Sequence, residues 1–219
     1  MDVQEIVAPA VIAALVSGLV SIGAAIINNR NARSINQERL KAEADLAEKK
    51  YRNERALADW KRKTDLAEQV LAGFYKARAV FQSARHPLSR GYEGQTREKV
   101  EGETPEQTSH RNAIFAPLER LNKEVDFLTD LTSLRFRFSA LFGAEGDKPF
   151  GELISAYNEV QYATHALMDE GLPRSDQREM RLEEAIWGMG EDDKIVKAIN
   201  SAVSTIEGLC RPILMSQPD

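Results

Sequence analysis

The chain is 219 residues long, with 42% hydrophobic and 29% charged residues, a net charge of −5 and a single cysteine, Cys210. One cysteine excludes an internal disulfide framework and agrees with a reducing compartment. The net charge hides an asymmetry. Arg30 to Arg90 holds 15 Lys and Arg against 8 Asp and Glu (+7), whereas Gly91 to Asp219 holds 14 against 24 (−10). The basic residues of the proximal part alternate with acids and lack interleaved aromatics, which argues against a nucleic-acid partner.

The first element is the charge-free run Ile6 to Ile27, IVAPAVIAALVSGLVSIGAAII. Its roughly 22 residues at ~1.5 Å per residue make a helix of about 33 Å, the thickness of a bilayer's hydrocarbon core. Pro9 falls in the first turn, where a missing N–H leaves no bond unmade. Met1-Asp2-Val3-Gln4-Glu5 lacks the basic start of a secretory signal, so the run is expected to be a retained anchor. Asp2 and Glu5 precede it and Arg30, Arg33, Arg39 and Lys41 follow it. That bias predicts a single-pass protein, N-out and C-in, with its body in the cytoplasm. The four basic residues are expected to contact anionic lipid headgroups, at about 1 kcal/mol each near the surface.

Along the span, Ala13, Ser17, Ser21 and Ala25 recur every fourth residue, beside a second row of Ala10, Ala14 and Gly18. Small residues at this spacing let two helix backbones approach closely, and they are the candidate residues for self-association within the membrane.

From Asn31 to Arg85 there is no proline and only one glycine, Gly73, so a single helix is expected to leave the bilayer. Asp45 with Lys49, Glu48 with Arg52 and Asp59 with Lys63 place acid and base four apart in the favourable order. Leu40, Ala44, Ala47 and Tyr51 form a thin stripe suited to a weak coiled coil. Beyond it, Leu57, Trp60, Thr64, Ala67, Leu71, Phe74, Arg78 and Phe81, widened by Val70 and Ala77, read as a core face. The phase slips between Tyr51 and Leu57. The expected divisions are therefore a tail and transmembrane helix over 1–29, a charged stalk over 30–56 and a helical bundle over 57–219.

Residues 86–103 hold Pro87, Gly91, Gly94 and Gly102 among polar residues and read as an exposed loop, with Arg90 and Tyr92 as a candidate partner surface. Thr104-Pro105-Glu106-Gln107 carries a helix start: a capping threonine, proline at the first position and a glutamine to close a capping box. Ile114, Leu118, Leu121, Val125 and Leu128, then Leu131, Leu134, Phe138 and Leu141, make one long apolar stripe, with a kink or break expected at Pro117. Arg135 and Arg137, set among phenylalanines, are further candidates for a partner surface. Gly143 to Pro149 is a turn, followed by a helix with Phe150, Leu153, Tyr157, Val160, Thr164 and Leu167 on one face. His165 lies beside that face, and the pattern predicts a partly buried imidazole. A shorter helix spans Ser175 to Trp187. Glu191, Asp192 and Asp193 are expected in the first turn of the last helix, whose apolar row is Ile195, Ile199, Ala202, Ile206, Leu209 and Ile213. No stretch alternates as a strand does. The fold class is all-α: a transmembrane helix, a long helical stalk and a bundle of about four main helices.

A search for chemistry returns absences. The residues three before His86, His110 and His165 are Ser83, Gln107 and Tyr162, so the Glu-x-x-His of a di-iron bundle is missing. Three scattered histidines and Cys210 do not make a zinc pattern. Gly143 to Gly146 is not followed by the Lys-Ser or Lys-Thr of a phosphate loop. No cofactor, no metal and no catalytic residue is assigned, and the expectation is a protein that is not an enzyme.

Leu66 to Tyr75, Leu118 to Glu124 and Leu134 to Phe138 resemble segments of uncharacterised bacterial single-pass membrane proteins with a cytoplasmic helical domain. The resemblance covers roughly Leu66 to Phe150 and implies a bacterial inner-membrane setting, with Gln69, Asn122 and Lys123 as shared polar positions. It implies no activity. The functional expectation is a membrane-anchored scaffold that forms homo-oligomers and presents its bundle to a protein partner. The alternatives are a membrane-acting effector of a bacterial defence or toxin system, and an enzyme of unknown class.

Overall fold

The structure, a computed structural model, describes residues 3–169, 175–189 and 193–216, with only the backbone described for 3–12. The described residues are helical and contain no strand. By contacts the chain divides into one unit up to Ala58 and a second from Asp59.

Helix α1 runs from Val3 to Ala84. In the first unit its described side chains are exposed, apart from the half-buried Gly23. From Ala13 onward, where side chains are described, the apolar run stands out because no protein covers it: Leu15, Leu19, Val20 and Ile27 are all more than half exposed. An 18-residue window near its start has a mean hydropathy of 1.3, and by length and composition this helix can cross a membrane. Farther along, ion pairs at one-turn spacing support the helix: Arg39 with Glu43 at 2.9 Å and Arg52 with Glu48 at 3.0 Å. Asp59 pairs with Arg62 at 2.8 Å, three residues on, instead of with Lys63.

In the second unit α1 turns a continuous face inward: Leu66, Ala67, Val70, Phe74, Ala77, Phe81 and Ala84 are buried. Ala67, Val70, Phe74, Ala77 and Phe81 are buried as expected, and the stripe differs only at its edges. Leu57 is 51% exposed, Leu71 and Arg78 lie half-buried at the edge, and the core begins at Leu66. The small residues Ala67 and Ala77 let neighbours approach, and at Gly73 a Cβ would lie 2.5 Å from Leu131 Cδ1.

Helix α2, Pro105–Lys123, starts as its sequence dictates. Thr104 Oγ1 accepts from Gln107 N at 3.2 Å, and Gln107 Oε1 accepts from Thr104 N at 2.9 Å. Pro117 lies buried inside this helix and does not end it. The stripe breaks instead at Glu124 and at Leu134, giving α3, Val125–Ser133, and α4, Arg135–Phe142. At both breaks the bond tightens to three residues back, Glu124 N to Leu121 O at 3.0 Å and Leu134 N to Leu131 O at 3.1 Å. An ion pair lies beside each break: Lys76 lies 3.4 Å from Glu124, and Arg135 on the far side of Leu134 is bound by Asp147.

Gly143, at φ +89, ends α4, and a single 3-10 turn, Ala144–Gly146, leads to α5, Lys148–Met168. Phe150, Leu153, Val160, Thr164 and Leu167 are buried as expected, with Tyr157 half-buried. His165 is exposed, contrary to its expected burial, because Ala163 and Thr164 occupy the inward positions on that turn. Helix α6 is Asp176–Trp187 and α7 is Lys194–Met215. Asp193 is the N-cap of α7, just outside its first turn, while Glu191 and Asp192 lie outside the described residues.

Helix α5 is the central element, packed on α7, α6 and α2. Phe150 meets Phe74 of α1 edge to face, with ring centroids 5.0 Å apart, and Phe138 of α4 at 5.9 Å. Truncating Phe150 to alanine removes contacts to both rings at once. We expect Phe150→Ala to lower stability by about 3–5 kcal/mol, read as a fall in the urea midpoint of the full chain in detergent micelles.

Candidate functional site: a strap docked on α2

The end of α1 is held by two arginines. A helix leaves its last carbonyls without intrahelical donors, so a buried helix end needs partners from elsewhere. Arg120, on α2, uses all five of its N–H groups, three on carbonyls at and just beyond this end and two on a carboxylate. Nη1 donates to the carbonyls of Ala84 (3.1 Å) and His86 (2.9 Å), and Nη2 to that of Leu88 (2.7 Å). Nε and Nη2 then grip the Glu93 carboxylate at 3.1 and 2.5 Å. Arg85, itself buried, donates from Nε to Ala185 O (2.7 Å) and from Nη2 to Glu184 O (2.8 Å), the closing carbonyls of α6. The same Nη2 lies 2.9 Å from Asp193 Oδ2, whose Oδ1 accepts from Ile195 N and Val196 N at the start of α7. One side chain thus joins three helix ends. Gly188 permits this, taking φ +63 where a Cβ would lie 3.1 Å from Asp193 Oδ2.

Residues 86–103 are largely exposed, as their composition suggests, but they are not free: Glu93, Gly94, Arg97 and Glu103 turn inward and dock the segment on α2 as a strap. Gly94 is the point of closest approach: its φ is +77, and a Cβ there would stand 2.0 Å from Asn112 O. Its N–H donates to the buried carboxylate of Glu119, which Lys123 balances at 3.1 Å. Beyond it Arg97, also buried, donates to Asn112 Oδ1 (2.7 Å) and forks onto Glu103 at 2.9 and 2.5 Å. Glu103 also accepts from Arg111 at 2.8 Å and from Thr108 at 3.1 Å.

These bonds act on the acids. The Arg120 guanidinium holds Glu93 down at about 2, and Arg97, with Arg111 behind it, does the same to Glu103. Both values lie below the ordinary 4.5, so the stabilisation is complete above about pH 4.5 and is lost as pH falls towards 2.

Glu93, Arg97 and Glu103 of the strap face inward, whereas Glu98, Lys99 and Glu101 are exposed together with Leu88 (77%), Tyr92 (60%) and Val100 (57%). Arg90 also faces out, and its Nη1 donates to Tyr92 Oη at 2.8 Å, which raises the arginine's pKa further. The candidate pair Arg90 and Tyr92 is thus a single exposed feature. On either side the strap borders open grooves of about 1000 and 430 Å³, and Arg90 and Glu93 line both. Their other charges are largely spent internally: Lys76 lies against Glu124 and 3.9 Å above the Phe127 ring, and Arg120 is saturated. A smaller apolar notch of about 130 Å³ opens between α3 and α5, lined by Val125, Leu128, Thr129, Leu153, Ile154 and Tyr157. Tyr157 Oη donates across it to Asn122 Oδ1 at 2.6 Å.

The remaining candidates are dispersed. Arg135 is engaged by Asp147, which is held below its ordinary value by that guanidinium. Arg137 is exposed. Ala13, Ala14, Ser17, Gly18, Ser21 and Ala25 lie on the surface of α1, and the side chain of Ala10 lies outside the described residues. Arg30, Arg33, Arg39 and Lys41 are exposed, with Arg39 bonded to Glu43. Gln69 and Lys123 are exposed as well. Among the described residues no group of three or more His, Cys, Asp or Glu is placed to hold a metal ion. Cys210 is buried in the core, and burial raises its thiol to about 11.

Sequence reasoning missed Arg85, Arg97, Glu103, Glu119 and Arg120. The one local signal was an arginine and a glutamate, Glu119-Arg120, interrupting the apolar stripe of α2.

These features define an all-helical protein whose N-terminal helix is long and apolar enough to cross a membrane. Comparison with protein-family models, with curated proteins and with solved structures finds no match.

Two outcomes follow from the strap. Gly94→Ala is expected to detach it, raising amide hydrogen exchange over 86–103 while the amides of α5 stay protected. In acid titrations of the full chain in detergent, the urea midpoint is expected to fall between about pH 4.5 and 2. Glu103→Gln should be less stable at pH 7 and show a shallower fall over that range.

Proposed function

We propose that this protein is a membrane-anchored helical scaffold that self-associates and presents its bundle to a protein partner. The observation that carries the reading is the bare apolar run of α1. Leu15, Val16, Leu19, Val20, Ile22, Ile26 and Ile27 are each at least half exposed. Covering one such side chain is worth roughly 1.5–3 kcal/mol, so water is a poor environment for this face and a bilayer a good one. In this reading the flanking charges set the N-terminus outside and the bundle in the cytoplasm, and the resemblance of Leu66 to Phe150 to bacterial single-pass proteins makes the membrane a bacterial inner one. Arg30, Arg33, Arg39 and Lys41 then meet the headgroups, and the rows of Ala10, Ala14 and Gly18 and of Ala13, Ser17, Ser21 and Ala25 supply the packing face between copies. No catalytic step is assigned to the chain.

Anchoring does the functional work in this reading. Copies confined to a membrane meet at an effective concentration far above their average in the cell, so weak contacts between bundles become sufficient. Expressed in bacterial cells, the full chain is expected to stay in carbonate-washed inner membranes, and Leu15→Lys with Leu19→Lys to shift most of it to the soluble or aggregated fractions. A wild-type chain recovered in the soluble fraction would overturn the reading. Collapse of the membrane potential on induction would favour the effector reading over the scaffold.

A further inference from the structure

The strap tip and the apolar notch are complementary in polarity and charge. The tip presents Leu88 and Tyr92, both mostly exposed, on backbone fixed by Arg120 and Gly94. Because the loop is already ordered, little conformational entropy remains to be lost when it docks. Between Leu88 and Tyr92 lies Arg90, an exposed cation oriented by Tyr92 Oη. Tyrosine and arginine beside an aliphatic residue is the composition of an interface centre.

The notch offers the converse. Its volume of about 130 Å³ suits one aliphatic or aromatic side chain, and its wall residues Val125 and Ile154 are themselves partly exposed. Along α3, Asp126 and Asp130 directly follow the lining residues Val125 and Thr129, one turn apart. Both aspartates are exposed, and no ion pair engages either among the described residues. An apolar hole with two carboxylates beside it fits a leucine or tyrosine flanked by an arginine.

We propose that copies of this chain dock head to tail, the Leu88–Tyr92 tip of one strap seated in the α3–α5 notch of the next copy, with Arg90 beside Asp126 and Asp130. The contact is small, and it rests on the membrane-anchored reading, which supplies the effective concentration. It is distinct from the packing of spans: the tip and the notch lie in the bundle and do not involve the small-residue rows.

The test uses full-length chains in membranes, as two co-expressed populations with tags of different size. One carries Leu88→Cys and the other Thr129→Cys, joined by a short bis-maleimide; Cys210, buried, does not compete. The expected result is a mixed-tag dimer. Its yield should drop about tenfold with Arg90→Glu in the first population and recover when Asp126→Lys and Asp130→Lys are placed in the second. A parallel pair of Ser21→Cys copies reports on the spans. Linkage at Ser21 without linkage between Leu88 and Thr129 overturns the docking and leaves the scaffold standing. Absence of both overturns both. Leu88–Thr129 linkage that Arg90→Glu does not change, or capture of Leu88→Cys by a different protein alone, also overturns the proposed pairing.

Discussion

Everything in the bundle depends on how the C-terminal end of α1 is finished. The carbonyl of Ala84 at its close has no intrahelical donor, and Arg120 satisfies it while binding the first residues of the strap. The neighbouring Arg85 finishes α6 in the same way and neutralises the aspartate that begins α7. These are charge-assisted bonds in largely excluded surroundings, short and directional, so they fix geometry more sharply than apolar contacts do. A guanidinium is the only side chain with enough donors, in a rigid enough fork, to hold two backbone segments and a carboxylate together. Lysine at either position would leave carbonyls unmet.

The strap is fastened by a few inward-facing charges and not by apolar burial. Ordering a loop costs roughly 1–2 kcal/mol per residue in backbone entropy, and apolar burial normally offsets it. Here Leu88, Tyr92 and Val100 remain in solvent, and the offset comes from Glu93, Arg97 and Glu103 closing onto α2. Pairs of this kind contribute less to net stability than their geometry suggests, because each ion is stripped of water. What they supply is a single defined conformation. A loop held that way can leave its apolar residues outward without collapsing onto them, which is the condition for presenting them to something else.

How far the sequence discloses this differs from element to element. The helices were legible because their signals are local: Thr104 to Gln107 spells its own cap, and the spacing of Phe150, Leu153 and Val160 marks the inward face of α5. The breaks at Glu124 and Leu134 were not, because the one conspicuous local signal, Pro117, lies inside α2 and does not end it. On α1 Ala67, Val70, Phe74, Ala77 and Phe81 lie inward as expected, but Leu57 and Leu71 drew the expected edges away from Leu66 and Ala84, which are the buried positions. For the strap the exposure was legible and the fastening was not: glycine, proline and charge read as an exposed loop, which most of 86–103 is, and only the pairing of Glu93 with Arg120, 27 residues on, docks it.

The choice of arginine as the cation for Glu93 and Glu103 has a further chemical consequence. A guanidinium stays charged at any pH a protein survives, whereas the carboxylates bound by Arg97, Arg111 and Arg120 do not. These pairs therefore have an acid limit set by Glu93 and Glu103 and no corresponding alkaline one. Built with lysines, the same pairs would loosen at both ends of the pH scale; built with arginines, they keep the segment fastened in alkaline conditions until some other part of the bundle gives way.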